Sequence, residues 1–164
     1  MATWPVMIMF QILASEYPVN FYAYLSTASI TPAVNAAIVF NVLQQHANSN
    51  YSTTTGVFTA PLSGTYYFTT GITGQSNVRT YAAITVRGQE VASLFAFDDS
   101  QLSQSSASVV VPLMAGDEVA VMKKLGAGIY GFANSRYNNG YNNGYNDGYS
   151  YVDHITYFMG MLLW

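Results

Sequence analysis

The chain contains no cysteine, which excludes disulfides, thiolate metal sites and cysteine nucleophiles and leaves stability to packing and assembly. Charge is almost as scarce: Asp, Glu, Lys and Arg make up 8% of the 164 residues, against roughly 25% in an ordinary soluble domain. Glu16 is the only charged residue before Arg79. There is no run of Lys or Arg and the net charge is −3. The cationic surface that nucleic acid or an anionic membrane requires is therefore missing. Histidine is limited to His46 and His154. Neither stands in a metal-binding spacing, and no Gly-x-Ser-x-Gly elbow accompanies the many serines. The chain is expected not to be an enzyme. No segment approaches the ~20 consecutive apolar residues of a membrane-spanning helix.

What the sequence does have is hydrophobic residues, 51% of the chain, with aromatics at 15%. Short segments rich in β-branched and aromatic residues are punctuated by Gly, Pro, Asn and Ser, a pattern of many strands without a helical period. Strands are predicted at Phe21 to Leu25, Ala37 to Gln44, Gly56 to Thr59, Thr65 to Ile72, Thr80 to Val86, Glu90 to Phe97, Ala107 to Leu113, Glu118 to Lys124 and Thr156 to Leu163. That spacing fits a sandwich or jelly roll. Arg87-Gly88-Gln89 and Met114-Ala115-Gly116-Asp117 are read as hairpin turns. One domain is expected over residues 20–164. It is preceded by an apolar N-terminal segment, 1–19, whose stretch from Val6 to Leu13 is either a strand or a residual leader lacking a basic start.

The segments Phe21 to Leu25 and Tyr157 to Trp164 are apolar at both odd and even positions. Successive strand residues point to opposite faces, so both faces of these strands have reason to leave water, one into the sandwich and one against another subunit. A surface so poor in charge favours association as well. Self-assembly is therefore expected from the residues alone.

A further feature is the stretch Tyr137 to Tyr149, in which Tyr-Asn-Asn-Gly runs three times with one Asp substitution. Gly at every fourth place prevents a regular packed element, and Asn-Gly and Asp-Gly favour tight turns. A long loop over residues 136–150 is predicted.

Phe40, Tyr51, Phe58, Gly64, Tyr66 and Phe68 fall at spacings that resemble the signature of the complement C1q globular domain. Flanking phrases extend the resemblance from Phe21 to the C-terminus, among them Thr55-Gly56-Val57-Phe58-Thr59-Ala60-Pro61-Leu62-Ser63-Gly64-Thr65-Tyr66-Tyr67-Phe68 and Phe158-Met159-Gly160-Met161-Leu162-Leu163. His46 departs from the usual Asn or Asp, and Thr70 from the usual Phe or Tyr. The resemblance implies an all-β, ten-stranded jelly roll of the C1q and tumour necrosis factor type. It further implies closed homotrimers about an apolar axis, secretion, and the head-only form seen among invertebrate members, since no Gly-X-Y stalk is present.

Candidate sites follow. The Tyr/Asn/Gly loop offers rigid aromatic faces for a sugar's C–H surface and amides that both donate and accept. Its candidate ligand-binding residues are Arg136, Tyr137, Asn138, Tyr141, Asn142, Tyr145, Asp147 and Tyr149, with Arg136 suited to a carboxylate or sulfate. Asp98, Asp99 and Gln101 cluster oxygen donors of the kind Ca²⁺ takes, and they are the candidate calcium ligands. Asn50-Tyr51-Ser52 is a glycosylation sequon, although Tyr51 is expected to be packed. The favoured function is a secreted trimeric, lectin-like pattern-recognition module of innate immunity that binds glycans or microbial surfaces by avidity, without nucleic acid or a membrane span. A structural, adhesive or storage protein built from similar trimers, or from higher assemblies of them, is the alternative. A signalling ligand ranks last.

Overall fold

The computed structural model describes residues 18–27, 29–131 and 155–164. The apolar segment up to residue 17, the Tyr/Asn/Gly loop with all eight of its candidate residues, and His154 lie outside the described residues. Eleven strand segments are present among those described: β1 (Asn20–Tyr24), β2 (Ser29–Ile30), β3 (Val42–Ala47), β4 (Val57–Thr59), β5 (Gly64–Gly74), β6 (Thr80–Val86), β7 (Gln89–Ala96), β8 (Ser103–Leu113), β9 (Glu118–Leu125), β10 (Ile129–Tyr130) and β11 (Tyr157–Leu162). They form a seven-stranded sheet, ordered β2-β10-β5-β11-β1-β3 with β8 also on β5, and a four-stranded sheet, ordered β4-β9-β6-β7. The expected all-β jelly-roll sandwich is what these residues build.

Aromatics from both sheets fill the space between the layers. Phe21 of β1 stacks on Tyr51 at 4.9 Å and on Phe58 at 5.1 Å, and meets Phe158 edge-on at 5.0 Å. Phe68 and Phe158 stack at 5.8 Å. Each of these phenylalanines is at most 1% exposed, and full burial of such a side chain contributes about 1.5–3 kcal/mol. Gly160 sits among them because a Cβ there would come within 2.6 Å of the Phe21 and Phe68 rings.

The segment predicted as one strand, Ala37 to Gln44, divides. Ala36 and Ile38 bond to β9 of the four-stranded sheet, through Lys123 N to Ala36 O and Ile38 N to Val121 O, whereas Val42 onward pairs with β1 of the seven-stranded sheet. Its apolar run is continuous because the chain crosses the core between sheets, with Ile38 and Phe40 fully buried on the way. Tyr51 pins the crossing: its hydroxyl donates to Phe40 O and accepts from Phe40 N. Burial of Tyr51 pushes its phenol above the ordinary value, against the smaller opposing effect of the Phe40 backbone bond.

At Thr70, where the family signature has an aromatic ring, the side chain is buried and its hydroxyl donates to Tyr157 O at 2.7 Å. The smaller residue is tolerated because its polar atom has a partner. The Arg87-Gly88 turn joins β6 to β7 with φ of 51° and 78°, the two positive values that a two-residue hairpin needs to match strand twist. Pro112 stands on β8 at the sheet edge, where a missing N–H is tolerated.

Candidate functional site

The outward face of the seven-stranded sheet carries the second side of the two-faced strands. Register places Gln45, Tyr22, Met159, Thr69 and Ser108 in one row across five strands, with Val42, Tyr24, Tyr157, Gly71 and Ser106 in the next. None of them carries a formal charge. Tyr22 and Tyr157 stack at 5.9 Å, and Tyr24 lies 6.4 Å from Tyr22. The Tyr157 ring covers Gly71, where a Cβ would meet it at 2.7 Å. The Tyr22 phenol is raised above its usual value by burial first, and then by the neighbouring Tyr157 and Tyr24. Farther across, a hydroxyl chain runs from Tyr67 Oη to Ser108 Oγ, from Ser108 Oγ to Thr69 Oγ1, and on to Ala107 O. An open hollow of about 280 Å³ lies among Asn20, Tyr22, Gln45, Met159 and Met161.

Asp98, Asp99 and Gln101 occupy the β7–β8 connection, at one end of the sandwich. Asp98 Oδ1 accepts from Ser100 N at 2.8 Å, Ser100 Oγ at 3.1 Å and Gln101 N at 2.8 Å. These bonds, the Ser100 amide foremost, hold the Asp98 carboxyl below its ordinary range. That oxygen is committed to shaping the loop, and Asp99 is exposed. Among the described residues no three His, Cys, Asp or Glu converge as a metal cluster.

The same end carries both anchors of the Tyr/Asn/Gly segment. The Thr156 hydroxyl donates to Tyr130 O and accepts from Thr73 N, and Gln104 Nε2 donates to Ile155 O. Gly131 rests against the carbonyls of Leu25 and Thr27, where no Cβ fits. Residues 131 and 155 thus stand side by side, near the Asp98 loop, which is tied to the β5–β6 connection by Asn77 N to Asp98 O at 2.6 Å. His46, on edge strand β3, is exposed.

Two charged features escaped the sequence reading. Lys123 is 2% exposed and donates to the backbone carbonyls of Pro32 and Ala127. Burial holds its ammonium below the usual lysine value. On the outward face of the four-stranded sheet, Tyr81, Glu90, Ser93 and Lys124 gather beside exposed Phe95. They come from three strands, and the only signal in sequence was the set of apolar residues at odd positions, Val91, Phe95 and Phe97, on what proves to be a solvent face.

The family model for the C1q domain matches residues 20–141. The chain belongs to the C1q domain family. Complement C1q tumor necrosis factor-related protein 3 of Mus musculus is 29% identical over 114 residues, covering 68% of this chain and 46% of the relative. Complement C1q tumor necrosis factor-related protein 6 of Mus musculus is 31% identical over 85 residues, covering 52% and 32%. This C1q chain therefore spans a third to a half of the curated relatives it matches. Among solved structures, the globular domain of zebrafish complement 1qA protein superposes with a TM-score of 0.65 at 17% identity, covering 89% of this chain and 98% of that one. Eiger TNF from S. frugiperda superposes at 0.62 with 9% identity, covering 90% and 93%. These likenesses show that the C1q fold here is the jelly roll shared with tumour necrosis factors, a fold for which trimeric assembly is typical. No helix among the described residues is long and apolar enough to cross a membrane.

Proposed function

We propose that this C1q domain is a secreted, non-enzymatic, lectin-like recognition module that assembles as a homotrimer and binds glycans or microbial surfaces by avidity. The observation that carries the reading is the uncharged, tyrosine-lined outward face of the seven-stranded sheet beside a single loop-bearing end of the sandwich. Packing that face about a three-fold axis removes it from water and sets three copies of the loop-bearing end on one side, where weak sites act together. The Tyr/Asn/Gly segment, with Arg136, Tyr137, Asn138, Tyr141, Asn142, Tyr145, Asp147 and Tyr149, supplies the ligand contacts in this reading. Calcium at Asp98, Asp99 and Gln101 belongs to it too. With one Asp98 oxygen already committed to the loop, the remaining oxygen donors would come from carbonyls or water, so binding is expected to be weak and abolished by EDTA.

The test is sedimentation of the purified chain followed by a glycan array with and without EDTA. A trimer with sugar-competable binding is expected, and deletion of Asn138 to Gly148 should remove the binding and keep the trimer. A stable trimer silent on every glycan overturns the lectin reading in favour of a structural or adhesive protein.

A further inference from the structure

The outward face of the four-stranded sheet holds a side-chain cluster that the trimeric reading leaves unused. Along β6 and β7, Ala82, Ile84, Leu94 and Ala96 are buried within the sandwich, so alternation turns Tyr81, Ser93 and Phe95 outward. Pairing sets Tyr81 between Phe95 and Leu125, which are 54% and 49% exposed. The Tyr81 hydroxyl donates to Glu90 Oε2 at 2.7 Å and lies 3.2 Å from Ser93 Oγ, while Lys124 Nζ is 2.9 Å from Glu90 Oε1. Ala83 faces the same way yet is fully buried without joining the core. Phe95 is thus the cross-strand neighbour of Tyr81, whose hydroxyl reaches a carboxylate that an ammonium also holds.

We propose that this face binds a neutral hexose, with the sugar's C–H surface on Phe95 and neighbouring hydroxyls bridging Glu90 and Lys124. The proposal rests on the lectin-like reading and deepens it by naming a sugar class and a second place to bind it. Neutrality follows from the charges, since Glu90 and Lys124 compensate each other and an ionic ligand would break their pair. A sugar fits better than a protein. A half-exposed Phe offers roughly 100 Å², and with Leu125 and Phe97 the apolar area is on the order of 300 Å², well short of the ~800 Å² per partner of a stable protein interface. Phe97 is already covered, with the Arg79 guanidinium 5.7 Å from its ring centre. Phe95 has no such cover among the described residues and is the open platform. The bonds from Lys124 and then Tyr81 hold the Glu90 carboxyl below its usual range, so it stays an acceptor throughout the neutral region.

Saturation-transfer NMR on the full chain with the methyl glycosides of galactose, mannose and glucose tests the site. At least one glycoside should receive saturation, and Phe95→Ala and Glu90→Gln should each weaken it tenfold or more. Both positions face solvent, and a thermal melt verifies that each variant is folded. Transfer unchanged in both variants overturns the site. So does transfer to none of the three glycosides, or a drop in sedimenting mass on Phe95→Ala, which would make the patch a contact between copies. The two readings fail separately: silence of the wild-type chain on the whole glycan array ends the lectin reading, whereas array binding that persists unaltered in Phe95→Ala ends only this site.

Discussion

Along the strands of the seven-stranded sheet no residue carries a formal charge, while Glu90, Glu118, Lys123 and Lys124 all stand in strands of the four-stranded sheet. Each sheet carries a tyrosine on its outward side, Tyr157 over Gly71 in one and Tyr81 between Phe95 and Leu125 in the other. The neighbours differ. Tyr157 is flanked by Tyr22, Tyr24 and Met159, whereas Tyr81 is bonded to a carboxylate that an ammonium also holds. An uncharged aromatic face gains from a protein partner that excludes water, while a face of paired charges and hydroxyls retains its hydration and suits small polar ligands. Under the proposed function the first face is covered and the second stays open.

The widest separation is expected from placing the same charge on each face. Met159→Glu should dissociate the assembly, because an unpaired buried carboxylate costs several kcal/mol. Phe95→Glu should leave sedimenting mass unchanged. If both variants sediment alike, the distinction between the faces is wrong. Next in size is the contrast between inside and outside: Phe158→Ala should lower stability by about 3–5 kcal/mol in urea titration, and Phe95→Ala by less than ~0.5 kcal/mol. Gly160→Ala should cost about 1–3 kcal/mol, since its methyl has to displace the Phe21 and Phe68 rings.

The smallest effect concerns pH. The Tyr51 phenol is raised in the folded state, as are Tyr22 and Tyr66, while the unfolded value is about 10. The folded chain then keeps protons that the unfolded chain releases. This stabilising contribution is complete below pH ~10 and is lost as pH climbs beyond it. Denaturation midpoints at pH 8 and 11 should show the loss. Tyr51→Phe should reduce it, at a cost of about 1 kcal/mol at neutral pH for the two bonds to Phe40.

Strand content, the aromatic core and the Arg87-Gly88 hairpin were legible because each depends on neighbours a few residues away: alternation, β-branched segments, and glycine where φ is positive. The expected turn at Met114-Ala115-Gly116-Asp117 is present, with Gly116 at φ 91°, but it is not a hairpin: it carries the chain from β8 of the seven-stranded sheet to β9 of the four-stranded sheet, a partner choice that no local signal encodes. Tyr51 and Phe58 were placed inside by a spacing that resembles a known signature, and both are buried. The break within Ala37 to Gln44 was not legible, since a run crossing from sheet to sheet has the same composition as one strand buried on both sides. Nor was Lys123, whose carbonyl partners at Pro32 and Ala127 come together only when β9 lies against the crossing segment.

The sequence by itself therefore determined the class of fold, the family, and the scarcity of charge that makes one face a candidate for burial, because periodicity and composition are local properties. Only the tertiary structure decided which strands share a sheet, that Asp98 caps its own loop, that residues 131 and 155 stand at that same end of the sandwich, and that Tyr81, Glu90, Ser93, Phe95 and Lys124 share the outward face of one sheet. Those arrangements join residues far apart in the chain, and strand pairing across a sheet is settled by the closure of the whole sandwich and not by any one segment.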